Sequence, residues 1–203
     1  MARAIGSKLV SGGEPSFIAS PHVGALMLEG EESYVGWPQS SAGQLHFYPP
    51  QGTVDFCYRP SFDSLDGNSH TLLFAPTQGG FMHIRKGGAD VDNAIDVTAM
   101  NYAVGVTQTR FPRHHFVFVA KTWYRLTLSW NYAASPNEPH IRLHVDGSEI
   151  ESQGAGRGAF PMDQSSSVMF FYLAAGPGGL VVQPEGADAA FDELVIYGEP
   201  RGP

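Results

Sequence analysis

Closely spaced carboxylates, scattered histidines and aromatic residues in turn-like segments are the parts of this sequence that could do chemistry. Cleaving a glycosidic bond with retention needs two carboxyl groups about 5–5.5 Å apart. One strand supplies that geometry when two acids stand two or four residues apart on the same face. Asp90-Val91-Asp92 and the run Asp188 to Glu193 come nearest to that spacing. No His/Cys cluster has zinc spacing, and neither a Gly-x-Ser-x-Gly elbow nor a phosphate-cradling Gly-Lys-Ser/Thr loop occurs. His114 and His115 point to opposite faces if a strand carries them, so adjacency alone does not make them a metal pair. Cys57 is the only cysteine, which excludes an intrachain disulfide and leaves a small buried apolar group as the expectation. Recognition of a neutral sugar asks for an exposed ring to stack on C–H groups and planar polar groups beside it. Trp37, Tyr48, Tyr102 and Tyr132 fall in loop-like segments, with Asn101, Gln108 and Asn131 as polar neighbours. Trp123 and Trp130 stand an odd number of residues apart on one strand pattern and so face opposite sides. Trp130, at the strand end beside Asn131-Tyr132, is the better surface candidate. The candidate ligand set is therefore Trp37, Tyr102, Trp130, Asn131 and Tyr132.

Strands must position these residues. Ile141-Arg142-Leu143-His144-Val145 alternates apolar and polar residues and runs into Asp146-Gly147, the signature of a half-buried strand entering a hairpin. Similar patterning predicts strands at about 52–60, 69–75, 80–86, 93–100, 103–109, 114–119, 122–131, 167–174 and 189–197. Val23 to Val35 reads as strand, acidic turn, strand, and Ser16 to Ala19 as a short edge strand. Gly176 to Gly179 and Gln183 to Ala187 read as turns. With 24 glycines and 15 prolines among 203 residues, and no amphipathic helical window or tandem repeat, the chain reads as one all-β sandwich. The expected organisation is a leader with an edge strand over 1–20, a single domain over 21–198, and the start of a linker at 199–203.

Four segments stand in an order that carries a resemblance. They are Gly52 to Pro60, Thr122 to Trp130, Ile141 to Gly147 and Ala190 to Tyr197. From about Ala25 to Tyr197 the chain resembles the concanavalin A-like, laminin-G-like jelly-roll domains. The resemblance implies an antiparallel β-sandwich of jelly-roll type, with Trp123 in its core. It also implies a structural calcium ion where the first hairpin meets the last strand, held by Glu29 and Glu31 of the acidic turn and by Asp192. Glucanase relatives carry Glu-x-Asp-x-x-Glu, which this chain lacks. Alginate-lyase relatives carry basic strands, and by that likeness His83, Arg85, His115 and a tyrosine such as Tyr124 would form the site of a polysaccharide lyase.

A formal net charge of −8 with only 12 Lys and Arg argues against nucleic acid as a partner. No stretch approaches the roughly 20 apolar residues of a membrane span, and the N-terminus lacks a signal peptide's apolar core. The resulting expectation is a non-catalytic carbohydrate-binding or adhesion module of a longer extracellular or cell-surface protein, with a polysaccharide or glycan as partner and other domains of the same chain beside it. A jelly-roll lyase or glycoside hydrolase is the first alternative, and a structural interaction domain that binds no sugar is the second.

Overall fold

Period-two alternation decides the architecture. In the strand Gln51–Pro60, Val54, Phe56 and Tyr58 are buried while Asp55, Cys57 and Arg59 between them are partly exposed, so each strand has one face for a core and one for the outside. A computed structural model describes residues 10–12, 16–18, 24–28, 34–38, 51–76, 80–89, 92–101, 105–111, 117–131, 141–151, 170–173, 175–178, 181–184 and 188–202. The described residues form sixteen strands: β1 (Val10–Gly12), β2 (Ser16–Ile18), β3 (Ala25–Leu28), β4 (Tyr34–Pro38), β5 (Gln51–Pro60), β6 (His70–Pro76), β7 (Gly80–Lys86), β8 (Ile95–Asn101), β9 (Gly105–Phe111), β10 (Tyr124–Asn131), β11 (Ile141–Val145), β12 (Ser148–Ile150), β13 (Phe170–Leu173), β14 (Ala175–Gly178), β15 (Val181–Pro184) and β16 (Ala189–Tyr197). No helix among the described residues is long and apolar enough to cross a membrane.

Two seven-stranded antiparallel sheets form a sandwich. The first runs in the order β1, β4, β13, β6, β7, β8, β9, and the second β12, β11, β10, β5, β16, β3, β2. β14 and β15 make a separate two-stranded ribbon, with β14 lying beside β6. The core between the sheets holds Val54, Phe56, Tyr58, Leu126, Leu128 and Phe191 from the second sheet, and Leu73, Met82, Ile84, Val97 and Leu173 from the first.

Three segments depart from the sequence expectation. β3 and β4 do not pair as a hairpin, since β3 joins the second sheet beside β16 and β4 joins the first beside β13, so the chain crosses the sandwich between them. Residues 117–119, expected in a strand, are outside the sheets. Gly176 and Gly178 lie in β14, and Gln183 and Pro184 in β15, instead of in turns. The Asp146-Gly147 hairpin turn forms as expected, with both residues at positive φ (50° and 80°), the conformation that a two-residue turn matching strand twist requires. The Asp146 carboxylate also accepts the Arg125 N–H at 2.7 Å.

Trp130 is the core's largest fully buried side chain, and it lies over Gly52, its partner in register on β5. A Cβ on Gly52 would stand 2.4 Å from Trp130 Cζ2. The chain after β16 is tied to the same region: buried Thr53 donates from Oγ1 to the Glu199 carbonyl at 2.9 Å and accepts the Arg201 N–H at 2.7 Å.

Elsewhere in the sandwich a buried cation holds a loop. The Lys86 ammonium is wholly buried and donates to the Asp66 carboxylate, to the Asn68 carbonyl at 2.9 Å and to Asn93 Oδ1 at 3.1 Å. The other Asp66 oxygen lies 2.5 Å from His70 Nε2, and the Phe62 ring stacks on His70 at 3.6 Å. Burial alone would push the Asp66 carboxyl up, but the bonds from Lys86 and His70 outweigh it and hold it below the ordinary range.

Gly52→Ala is expected to destabilise the fold by roughly 1–3 kcal/mol through overpacking against Trp130, read as a lower denaturant midpoint. Asp66→Asn, which strands a buried ammonium, is expected to lose about 3–5 kcal/mol in the same assay.

Candidate functional site

The face of the first sheet that points away from the core carries rings and guanidinium groups in register. One row crosses six strands, from Gly36 on β4 through Tyr172, Phe74, His83 and Thr98 to Gln108 on β9. The row on one side joins Phe81 to Met100, and the row on the other joins Thr71, Arg85, Asp96 and Arg110. Cross-strand neighbours on one face stand close enough to interact directly. The Tyr172 ring lies over Gly36, where an added Cβ would be 2.4 Å from Tyr172 Cδ1. Tyr34 meets Tyr172 edge-on at 6.2 Å, Phe74 stacks on Tyr172 at 6.4 Å, and Phe81 meets Phe74 at 5.5 Å. The result is an aromatic strip running from β4 to β7. Phe74, Phe81 and Tyr172 are buried in it, while Tyr34 and Met100 remain partly exposed.

The charged row ends in a shared carboxylate. Asp96 is wholly buried and accepts Arg110 Nε at 2.8 Å and Arg110 Nη2 at 3.3 Å, with Arg85 Nη2 3.6 Å away. The two arginine side chains keep 30% and 38% of their surface exposed. Their guanidinium planes are therefore oriented by a buried partner beside the aromatic strip, the combination that sugar hydroxyls and C–H faces use.

His83 sits buried in the middle of this face. Its Nε2 lies 2.8 Å from Thr71 Oγ1. Burial first, and the Arg85 charge second, push its pKa down from 6.5 to about 3, so the ring is neutral at pH 7. Tyr124, its expected partner in a lyase site, belongs to the second sheet and spends its hydroxyl on the Val119 N–H at 2.8 Å. His83 and Tyr124 are thus on different sheets, Arg85 is turned to Asp96, and His115 lies outside the described residues.

The outer face of the second sheet is polar and self-paired. Arg125 on β10 grips Asp55 on β5 with two bonds, Nε at 3.0 Å and Nη2 at 2.8 Å, and reaches Glu193 on β16 at 3.2 Å. Glu193 occupies a bulge between Asp192 and Val195 at φ 50°. The bonds to Asp55 hold the Arg125 pKa above its already high ordinary value, burial opposing them. Cys57, expected as a buried apolar group, instead faces this network and donates its thiol hydrogen to Glu193 at 3.7 Å. Burial and then the Glu193 charge push the thiol to about 11, which leaves almost no thiolate for nucleophilic chemistry.

The ligand residues expected from sequence are split. Trp130 is corrected: it shares the inward parity of Leu126 and Leu128, is 1% exposed and fills the core, so it cannot stack on a ligand. Trp123 is corrected in the opposite sense, packing partly buried against a small cluster of Ala25, Met27 and Ala190 away from the main core. Asn131 ends β10 on the second sheet, half-buried beside Gln51. Trp37 lies in β4 with its backbone opposite Phe171, and Asn101 and Gln108 lie on β8 and β9, all in the first sheet. Tyr48, Tyr102, Tyr132, Glu29 and Glu31 lie outside the described residues. Of the expected calcium ligands only Asp192 is described, and its Oδ1 accepts the Glu193 N–H at 2.8 Å. Among the described residues no three His, Cys, Asp or Glu side chains are grouped to hold a metal. Sequence reasoning passed over Tyr34, Phe74, Phe81, Tyr172, Asp96 and Arg110. The one available signal was the outward parity of Phe81, His83 and Arg85 on β7.

No protein-family model matches the chain, and no curated protein is similar to it in sequence. Solved structures match its fold. The botulinum neurotoxin serotype G binding domain superposes with a TM-score of 0.65 at 13% identity, covering 98% of this chain and 44% of that one. The binding domain of Paraclostridial Mosquitocidal Protein 1 gives 0.64 at 12% identity over 97% of this chain and 45% of that one. The binding domain of botulinum neurotoxin DC, solved in complex with rat synaptotagmin II, gives 0.64 at 10% identity over 96% and 44%. The chain thus spans less than half the length of these proteins, and at such identities the likeness is one of fold.

Because the buried His83 resists protonation when folded and accepts a proton at its ordinary pKa of 6.5 when unfolded, its contribution to stability is complete above pH 6.5. That contribution is lost as the pH falls towards about 3, at up to about 1.4 kcal/mol per pH unit. Denaturant unfolding across this window should show that slope in the native chain and a shallower one in His83→Gln.

Proposed function

We propose that this chain is a non-catalytic carbohydrate-binding or adhesion module of a larger extracellular protein, of laminin-G-like kind, and that it takes a glycan on the outer face of the first sheet. The observation that carries the reading is the aromatic strip of Tyr34, Tyr172, Phe74 and Phe81 bordered by Arg85 and Arg110 on a buried Asp96. A sugar laid across Tyr34, Met100 and Thr98, the partly exposed members of the face, would stack its C–H groups and bond its hydroxyls to the two guanidinium edges. The separation of His83 from Tyr124 argues against the lyase alternative, and the fold likeness to the toxin binding domains supports a recognition role. A structural calcium ion at Asp192, Glu29 and Glu31 belongs to the same proposal.

A second reading is favoured by one specific observation. Phe74, Phe81 and Tyr172 are almost fully buried, as in a satellite core, which suits a structural interaction domain that binds no sugar.

Isothermal titration against a panel of neutral and acidic polysaccharides separates the readings. A binding module gives a saturable heat, and both Tyr34→Ala and Arg85→Gln weaken it by about tenfold or more while the variants still melt cooperatively. No heat with any glycan would favour the interaction domain, and release of an unsaturated product would restore the lyase. A rise in melting temperature with millimolar calcium, reversed by a chelator, tests the metal.

A further inference from the structure

Among the described residues, three of the four edge strands of the two seven-stranded sheets are short. β1, β2 and β12 each have three residues, the usual way of blunting an edge that would otherwise pair with another chain. The fourth, β9, has seven residues, Gly-Val-Thr-Gln-Thr-Arg-Phe, and pairs with β8 through seven consecutive positions without a bulge. It holds one charged residue, Arg110, and no proline. Among the described residues no strand pairs with its other edge.

We propose that this edge is an interface at which a second copy of the chain pairs antiparallel with β9, placing Gln108 on a two-fold axis and joining the two first sheets into one. The sequence is self-complementary in that register. Gln108 faces Gln108, Thr107 faces Thr109, and Arg110 faces Val106, so no like charges oppose each other. A heterologous partner would not require the symmetric Thr-Gln-Thr centre. A chain with a net charge of −8 repels its copies at long range, so the contact between these edges strengthens with salt.

The test is carried out on the full 203-residue chain with Cys57→Ser, so that no native thiol remains. Directly opposed residues of an antiparallel pair have Cα atoms about 4.5–5.5 Å apart, inside the range that a disulfide spans. Gln108→Cys should therefore form a disulfide-linked dimer on mild oxidation, while Glu149→Cys on the short edge strand β12 should not. Sedimentation of the native chain should show a dimer, and Gln108→Lys, which sets two ammonium groups face to face, should weaken it by roughly tenfold or more. A native chain that sediments as a monomer at every concentration overturns the proposal. So does a dimer that neither crosslinks through Gln108→Cys nor responds to Gln108→Lys.

Discussion

Trp130 fills the space that Gly52 leaves, and this fit fixes how β5 and β10 pair. A slip of one residue would turn every side chain of a strand to the opposite face. It would also drive the indole into a neighbour that has a Cβ. With the register set, Leu126, Leu128, Val54 and Phe56 all face the core, and Arg125 stands beside Asp55 on the outside. The bulge in β16 then brings Glu193 to the same guanidinium from the other side of β5. The tail after β16 closes onto Thr53, one residue from Gly52. Glycine and aromatic pair again across the first sheet at Gly36 and Tyr172, where the ring lies flat on β4 and begins the aromatic strip.

The two outer faces differ in what they can offer a ligand. On the second sheet, Arg125 binds two carboxylates and the thiol of Cys57 is held protonated, so the network closes on itself. On the first sheet, a single buried carboxylate orients two half-exposed arginines beside rings. Removing Asp96 from water is unfavourable, and two guanidinium partners offset that loss while fixing the arginines in place. A rigid polar edge next to an apolar strip would have little entropy left to lose if a ligand bound there.

Much of the fold was legible because strand periodicity is local. The alternation in Gln51 to Pro60 and Ile141 to Val145, together with Asp146-Gly147, named strands and a turn that the structure contains. The partition of strands between sheets was not legible, since β3 and β4 are close in sequence yet belong to opposite layers, and only long-range pairing with β16 and β13 decides that. The candidate site was less legible still. Trp130 looked like a surface ring from its place beside Asn131 and Tyr132, but its parity with Leu126 and Leu128 was the better guide and put it inside. Tyr34, Tyr172 and Phe74 come from three separate segments, and no spacing rule links them before the sheet order is known. Cys57 stood in an outward position of β5, between Phe56 and Tyr58, and its hydrophobic character concealed that parity.

The central claim is that the outer face of the first sheet is the recognition surface. Amide hydrogen exchange of the chain, with and without a glycan that binds it, tests this most directly. The account predicts added protection in β7 and β8, over residues 80–86 and 95–101, with β5 and β10 unchanged. Protection confined to the second sheet would contradict it.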